Sequence, residues 1–316
     1  MKKLYISSLL LLSLSVAFAT RFAGEIFQIS PGVMNQAMGS TGLTDSRSLA
    51  SGWWNPALLS APGSRGLELM RSEHFAGLLE QNQASLILGK NRSSIIINHL
   101  AINNIKLTQL EDPADSLSND NRPVIWKTVG NNDIIVHGAI SRDLNPKLAL
   151  GFAPKLAYRK LAEHSGYAFG ADLGLFYQMT DQLATAANLR DFFSTTVIWE
   201  NGTYEVVIPN LDLEAAYVLH PLGRSLPLRV AARAQIYAED RGEASMLQAG
   251  VFSADFHAGL SLAPIPPLMI MAGYDIDSIT AGIAVNYKQF GLNYAFRDKA
   301  PDGLGSSQRM SLSYSW

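Results

Sequence analysis

Beyond about residue 65 the chain repeats with a period of two. In Lys147–Arg159, Leu148, Leu150, Phe152, Leu156 and Tyr158 share one face, while Ala149, Gly151, Ala153, Lys155, Ala157 and Arg159 share the other. Tyr167–Tyr177 alternates in the same way, with Phe169, Ala171, Leu173 and Leu175 set against Ala168, Gly170, Asp172 and Gly174. Ser278–Tyr287, Phe290–Arg297 and Gln308–Trp316 continue the pattern, and the last puts Met310, Leu312, Tyr314 and Trp316 on one face against serines on the other. Such alternation predicts strands with two unlike faces. A soluble sandwich alternates too, so three further features decide. The predicted strands are about 9–13 residues long, which suits a tilted membrane crossing better than the usual 5–6. Their apolar faces often begin or end in Tyr, Phe or Trp, as interfacial girdles require. Their opposite faces carry Gly, Ala, Ser, Asn and scattered charges, which suits a polar lumen. Strands in lipid cannot leave an edge unpaired and must close on themselves.

The connections predict how they close. Tight turns fall at Lys288-Gln289 and around Pro264–Pro267, Pro221–Ser225, Thr180–Asp181, Arg142–Pro146 and Asn91–Arg92. Between them lie connections expected to be mostly longer: Asp298–Ser307, Ala238–Leu247, Asp191–Ile208, Leu161–Gly166, Glu111–Asn132 and Ala76–Asn82. Short and long in alternation are the mark of outer-membrane barrels, with short periplasmic turns and longer outer loops. The expected architecture is all-β: an antiparallel transmembrane barrel over 65–316 of about fourteen strands, with twelve or sixteen as alternatives.

The first residues change the compartment. Lys2 and Lys3, the apolar run Leu4–Val16 and Ala17-Phe18-Ala19 predict a cleaved export signal over 1–19, with a mature chain beginning near Thr20. No cysteine occurs anywhere, which rules out a disulfide framework, thiolate metal ligation and a lipid-anchored lipoprotein. Charged residues make up 16% of the chain and the net charge is -2. That is low against roughly 25% in soluble proteins, and it lacks the basic excess of a nucleic-acid binder.

Residues 20–64 do not alternate. Gly32, Gly39, Gly42 and Gly52 interrupt them, Asp45 is placed to cap a short helical turn over Ser46–Ser51, and Pro56 to open another with Ala57-Leu58-Leu59 as its apolar side. A segment with so little regular structure needs neighbours for its backbone polar groups, and the inside of a barrel supplies them. It is expected to be an N-terminal plug of short helices and loops.

Here the residues carry a resemblance. Ala37-Met38-Gly39, then Thr44-Asp45, then Trp54-Asn55-Pro56-Ala57 resemble the N-terminal signature of the PorV/PorQ family of outer-membrane proteins. Toward the C-terminus, Ala272-Gly273-Tyr274, Ala281-Gly282-Ile283, Leu292–Phe296 and Gln308–Leu312 are similar to that family's last strands. Leu58, where the family usually has Gly, and the added Trp53 depart from it. The family is related to the FadL-type transporters of long-chain fatty acids and other hydrophobic compounds. The resemblance implies a fourteen-stranded barrel with a plug, in the outer membrane of a Gram-negative-type bacterium, that passes or binds hydrophobic cargo. It equally admits a non-transporting component of a type IX-like secretion system, with secretion proteins as partners, and a structural barrel without cargo. The plug motif would be Met38, Gly39, Asp45, Trp54, Asn55, Pro56 and Ala57. The ending Tyr314-Ser315-Trp316 resembles the signal read by the barrel-assembly machinery.

No enzyme chemistry is expected. The six histidines share no H-x-x-x-H spacing, and no serine lies in G-x-S-x-G. Neither a cofactor nor a metal is implied. His137 is expected to be a solvated lumen residue, Gly170–Gly174 a small-residue lumen face, and Asn201-Gly202 a hairpin turn. Lys155, Arg159, Asp172, Arg229, Arg233 and Arg297 fall on predicted inward faces. They would form either an ion-pair network that pins the plug or a path for an anionic head group.

Overall fold

A computed structural model describes residues 25–61, 65–89, 92–221, 226–299 and 303–316. The expected export signal lies outside these residues. The strands are β1 (Gly66–His74), β2 (Leu79–Leu88), β3 (Ser93–Leu110), β4 (Pro123–Asn145), β5 (Leu148–Leu161), β6 (His164–Gln178), β7 (Leu183–Arg190), β8 (Thr196–Trp199), β9 (Tyr204–Val206), β10 (Asn210–Leu219), β11 (Leu228–Tyr237), β12 (Leu247–Ala249), β13 (Phe252–Ile265), β14 (Leu268–Asp275), β15 (Ser278–Tyr287), β16 (Phe290–Arg297) and β17 (Ser307–Ser315). Fourteen of them make one antiparallel wall, closed where β1 pairs with β17 from Gly66↔Ser315 to Glu73↔Gln308. The remaining three, β8, β9 and β12, are short pieces that extend the wall at one end.

Alternation along each strand becomes outside and inside. On β5, Leu150, Phe152, Leu156 and Tyr158 are exposed on the outer face, while Ala149, Ala153, Lys155 and Arg159 are buried. On β17 Met310, Leu312 and Tyr314 face out, and Arg309 and Ser311 are buried. A closed barrel with an apolar outer band has the surface a membrane barrel needs. Among the described residues no helix is long and apolar enough to cross a membrane.

Strand lengths depart from the expected range, from 8 residues in β7 to 23 in β4. The expected loop Glu111–Asn132 is a loop only as far as Arg122 and strand from Pro123 onward, because β3 and β4 continue past their other neighbours as a two-stranded ribbon. Residues Asn103–Leu110 and Pro123–Gly130 are exposed or half-buried on both faces. With no buried face to enforce a period of two, the alternation that marks the wall is lost there. Other expected long connections prove short: Ala162-Glu163 joins β5 to β6, and Phe75–Leu78 joins β1 to β2. Ala76 and Ala162 accept positive φ to make these turns. Asp191–Ile208 contains the β8–β9 hairpin, turning at Asn201-Gly202 as expected.

That hairpin belongs to a break in the wall. β6 pairs with β7 as far as Leu173↔Leu189 and resumes on β8 at Phe169↔Thr196, so the chain from Asp191 to Thr195 bulges. Asp191 and Ser194 take positive φ within it. The flanking bonds Phe192 N–H to Ala171 O (3.1 Å) and Val207 N–H to Thr195 O (2.8 Å) keep the wall joined on both sides.

Candidate functional site

The lumen is filled. Residues 25–61 run inside the barrel as three one-turn helices, Glu25–Gln28, Val33–Ala37 and Ser51–Trp54, and a 3₁₀ turn, Pro56–Ser60. Trp53 and Trp54 are buried against inward Ile96, Ile135 and Val197 of the wall. The expectation of a wet, polar lumen is therefore corrected: much of it is packed core. His137 is corrected with it. It is 1% exposed, its ring centroid is 4.9 Å from that of Trp53, and its Nε2 is 3.6 Å from Asp172.

Two glycine pairs in the wall explain how the inner segment seats. Gly151 of β5 pairs with Gly174 of β6, and a methyl on either would lie 2.1–2.9 Å from Asn55, Pro56 or Ala57. Gly259 of β13 pairs with Gly273 of β14, and a methyl on either would lie 2.2–2.8 Å from Met38, Gly39 or Thr41. Each pair is a bare patch where backbone meets backbone, the use to which glycine inside a strand is put. Gly39 itself is at φ 66 with Ala258 O, Tyr274 N and Tyr274 O around it, so no other residue fits there. The two sequence motifs thus sit on two glycine seats.

Hydrogen bonds fix both contacts. Asn55 Oδ1 accepts from Ala57 N–H (3.0 Å) and caps the 3₁₀ turn that Pro56 opens, as expected for this proline. Its Nδ2 donates to Leu43 O (2.9 Å) and to Leu175 O of the wall (3.1 Å). Asn188 Nδ2 donates to Trp54 O (2.8 Å). Gly39 N–H donates to Thr280 Oγ1 (3.0 Å), which donates to Ala37 O (3.1 Å). Asn55→Ala removes the cap, the bond to Leu43 within the segment and the bond to Leu175 of the wall. It should destabilise the turn by about 1–2 kcal/mol, read as faster amide exchange of residues 55–61 in the intact barrel.

Between the seats one carboxylate holds the segment. Glu214 of β10 accepts from three successive backbone N–H groups, Gly42 (2.7 Å), Leu43 (2.9 Å) and Thr44 (3.0 Å), and from the Thr44 hydroxyl. Sequence reasoning missed this residue, although Asp212 and Glu214 alternate with Leu211 and Leu213 on a legible inward face. Asp45 corrects another expectation. It caps no helix: Oδ1 accepts from Arg47 N–H (3.0 Å) and Nε (2.8 Å), and Arg229 lies 3.6 Å away. The helix after it begins only at Ser51, with no side-chain cap. Burial pushes the Asp45 carboxyl up, but Arg47 and Arg229 outweigh it and hold the group well below the usual carboxylate range.

The six inward charges divide. Arg229 and Arg233 touch the inner segment, through Thr44 Oγ1 and through Ser40 O at 2.8 Å. Lys155 bridges Asp172 (2.8 Å) and Asp191 (2.7 Å) beneath the wall bulge, with Phe27 over its ammonium at 4.8 Å. Arg159 pairs with Asp133 (2.9 Å), and Arg297 with Asp275 (3.1 Å), both wall to wall. Tyr314 and Trp316 lie outside with Phe290, ring to ring at 5.2 and 6.0 Å.

Two cavities open at the end of the barrel where β3 and β4 extend. One, of 290 Å³, is lined chiefly by Ile26, Ile29, Leu79, Leu100, Ile102 and Trp199. The other, of 320 Å³, is lined by Ile29 and by Arg233, Arg241, Arg297 and Arg309 with Asp255 and Asp275. A third, of 410 Å³, lies at the opposite end between Ala57–Ala61 and the β4–β5 turn. Among the described residues no group of three or more His, Cys, Asp or Glu is placed to hold a metal.

No protein-family model matches the chain, and no curated protein sequence matches it. Solved structures do. The toluene transporter TbuX of Ralstonia pickettii is similar at TM-score 0.57 and 12% identity, over 91% of this chain and 98% of that one. The toluene transporter TodX of Pseudomonas putida is similar at 0.52 and 13%, over 90% and 98%. A Pseudomonas aeruginosa FadL homologue is similar at 0.53 and 10%, again over 90% and 98%. At such identities the likeness is one of fold: this chain has the closed fourteen-stranded architecture of the FadL-like barrels.

Proposed function

We propose that the chain is an outer-membrane channel of FadL type in a Gram-negative-type bacterium, and that it takes up hydrophobic cargo at the loop end of its barrel. One observation carries this reading. Beside the packed Trp53 and Trp54, a largely apolar cavity of 290 Å³ stays open at that end, lined by Leu79, Leu100, Ile102 and Trp199 together with Asn131, Asp133, Arg159 and Glu205. Ligand sites are commonly apolar clefts of about 300–1,000 Å³ with a few polar groups. The toluene transporters of the same fold make the reading the natural one. Residues 25–61 act in it as a plug, and the bulge at Asp191–Thr195 is where the wall would part for cargo to leave sideways.

The test is equilibrium binding of decanol to the barrel in lipid nanodiscs. Binding should saturate above the partition into empty discs. Ile102→Trp, which fills the cavity without adding charge, should weaken it at least about tenfold. No saturable binding to the unaltered barrel ends the proposal.

A second reading is favoured by a different observation. The β3–β4 ribbon exposes Ile125 and Trp126 at 55% and 54%. Apolar side chains on a projecting ribbon suit a protein partner, as a PorV-like component of a secretion machine would need. Copurification of the barrel with secretion subunits, lost on Trp126→Ser, would favour this reading over transport.

A further inference from the structure

Glu68 is a buried acid with no base beside it. It lies on the inward face of β1, 3% exposed, and among the described residues no Lys, Arg or His comes within ion-pair distance. Its neighbours are neutral. Ser311 Oγ of β17 donates to Glu68 Oε2 at 3.1 Å, Asn293 Nδ2 of β16 reaches the same oxygen at 3.4 Å, and Gln83 Nε2 of β2 reaches Oε1 at 3.5 Å. Gln83 Nε2 also donates to Ser85 Oγ, directly across the ladder from Glu68. The other end of that amide is idle: Gln83 is 4% exposed, and its Oε1 has no hydrogen-bond partner. Hydrogen bonds that hold a carboxylate firmly run at about 2.7–2.9 Å. A buried carboxylate held as loosely as this one is costly, and the cost falls when a positive charge joins it.

The spacing suits a small cation. Two oxygens bound at right angles, each about 2.4 Å from a hard cation, stand about 3.4 Å apart. The groups around Glu68 stand 3.1–3.5 Å from its oxygens. A half-turn of the Gln83 or Asn293 amide presents oxygen in place of nitrogen, and the serine hydroxyls donate or accept equally well.

We propose that Glu68, Gln83, Asn293 and Ser311 hold one sodium ion inside the barrel. One carboxylate matches one positive charge, so a monovalent ion leaves the site neutral, whereas calcium or magnesium would leave it charged. The four ligands come from β1, β2, β16 and β17, the strands on either side of the closure. The ion ties together the junction whose two strands are farthest apart in sequence. The proposal does not depend on the hydrophobic-cargo reading.

The full chain is folded into nanodiscs at mildly alkaline pH, in sodium chloride or in choline chloride of equal ionic strength. Equilibrium dialysis with radioactive sodium should find one ion per barrel, and the midpoint of heat-modified gel mobility should lie several degrees higher in sodium. Glu68→Gln should lose both the bound ion and the shift, yet unfold in choline no earlier than the unaltered barrel, because it removes an uncompensated charge. A Glu68→Gln barrel weakened equally in both salts would mark Glu68 as a packing residue and overturn the proposal. Gln83→Met keeps the carboxylate and takes away the idle oxygen in nearly the same shape. It should weaken sodium at least about tenfold, which keeps the site testable if Glu68→Gln fails to fold. Equal midpoints in the two salts with no bound sodium also overturn the proposal, since Glu68 would then be neutral by protonation. So does sodium binding that survives both variants, or stabilisation that calcium supplies and sodium does not.

Discussion

Glu214→Ala is expected to release the plug from an otherwise intact barrel. The carboxylate is 3% exposed and is the shared acceptor of the Gly42, Leu43 and Thr44 N–H groups. Alanine leaves three buried donors without a partner, each at a cost of about 1–3 kcal/mol. It also leaves Arg229, 3.9 Å from Glu214, with one acidic neighbour fewer. The wall around position 214 loses no ladder bond, because β10 pairs with β7 and β11 through its backbone. Stability of the closed barrel, read from its heat-modified gel mobility, should change little. Residues 38–46 should exchange amide protons and admit protease far faster, and the steady single-channel current should rise. Glu214→Gln keeps one acceptor oxygen and should fall between the two. Unchanged protection of residues 38–46 in Glu214→Ala would mean that the glycine seats alone hold the segment.

The contrast between wall and plug explains what could be read from sequence. Strand direction, closure and the inward or outward sense of residues such as Leu150 and Lys155 follow from a period of two, which lipid outside and packing inside enforce. The count of fourteen follows from the turns, even though several expected loops are short, because a count depends on where the chain reverses and not on how far it travels. The seats were half legible. Asn55-Pro56-Ala57 and Met38-Gly39 stand out as motifs, and Gly170–Gly174 reads as a small-residue face. Nothing in the chain says that Gly174 lies across from Gly151, or that Pro56 rests on both, since that juxtaposition depends on the register of β5 against β6 and on where a segment remote in sequence meets them. Asp45 shows the same limit. Its spacing suits a helix cap, but Arg47 and Arg229 offer it stronger partners than the N–H groups of a four-residue helix. Glu214 was missed for a different reason. It lies on a legible inward face, but its importance comes from the backbone groups of the plug that it meets, and backbone groups leave no trace in a sequence.

Gly174→Val is the sharper test of how the plug is seated. A Cβ at this position would stand 2.1 Å from Asn55 Oδ1 and 2.7 Å from Pro56 Cδ, closer than real carbon contacts allow. Neither neighbour can yield easily. Asn55 Oδ1 is committed to Ala57 N–H, and the proline ring is fixed to the backbone it belongs to. The strand itself tolerates valine well, since β-branched residues suit a pleated wall. The substitution therefore sets wall against plug. The barrel should assemble and keep its heat-modified mobility, while overpacking of the seat costs about 3 kcal/mol or more and drives Asn55–Ser60 out of place. The cavity between Ala57–Ala61 and the β4–β5 turn would open toward the opposite end, raising conductance and exposing residues 55–61 to exchange. Gly273→Val on the other seat should free Met38-Gly39 in the same way but spare the Asn55–Ser60 turn, because the two patches lie on strands far apart around the wall. If each valine loosens only its own seat, the plug is held at separable points, and one half can move while the other stays. If either valine releases the whole segment at once, Glu214 between the seats couples them and the plug moves as a unit.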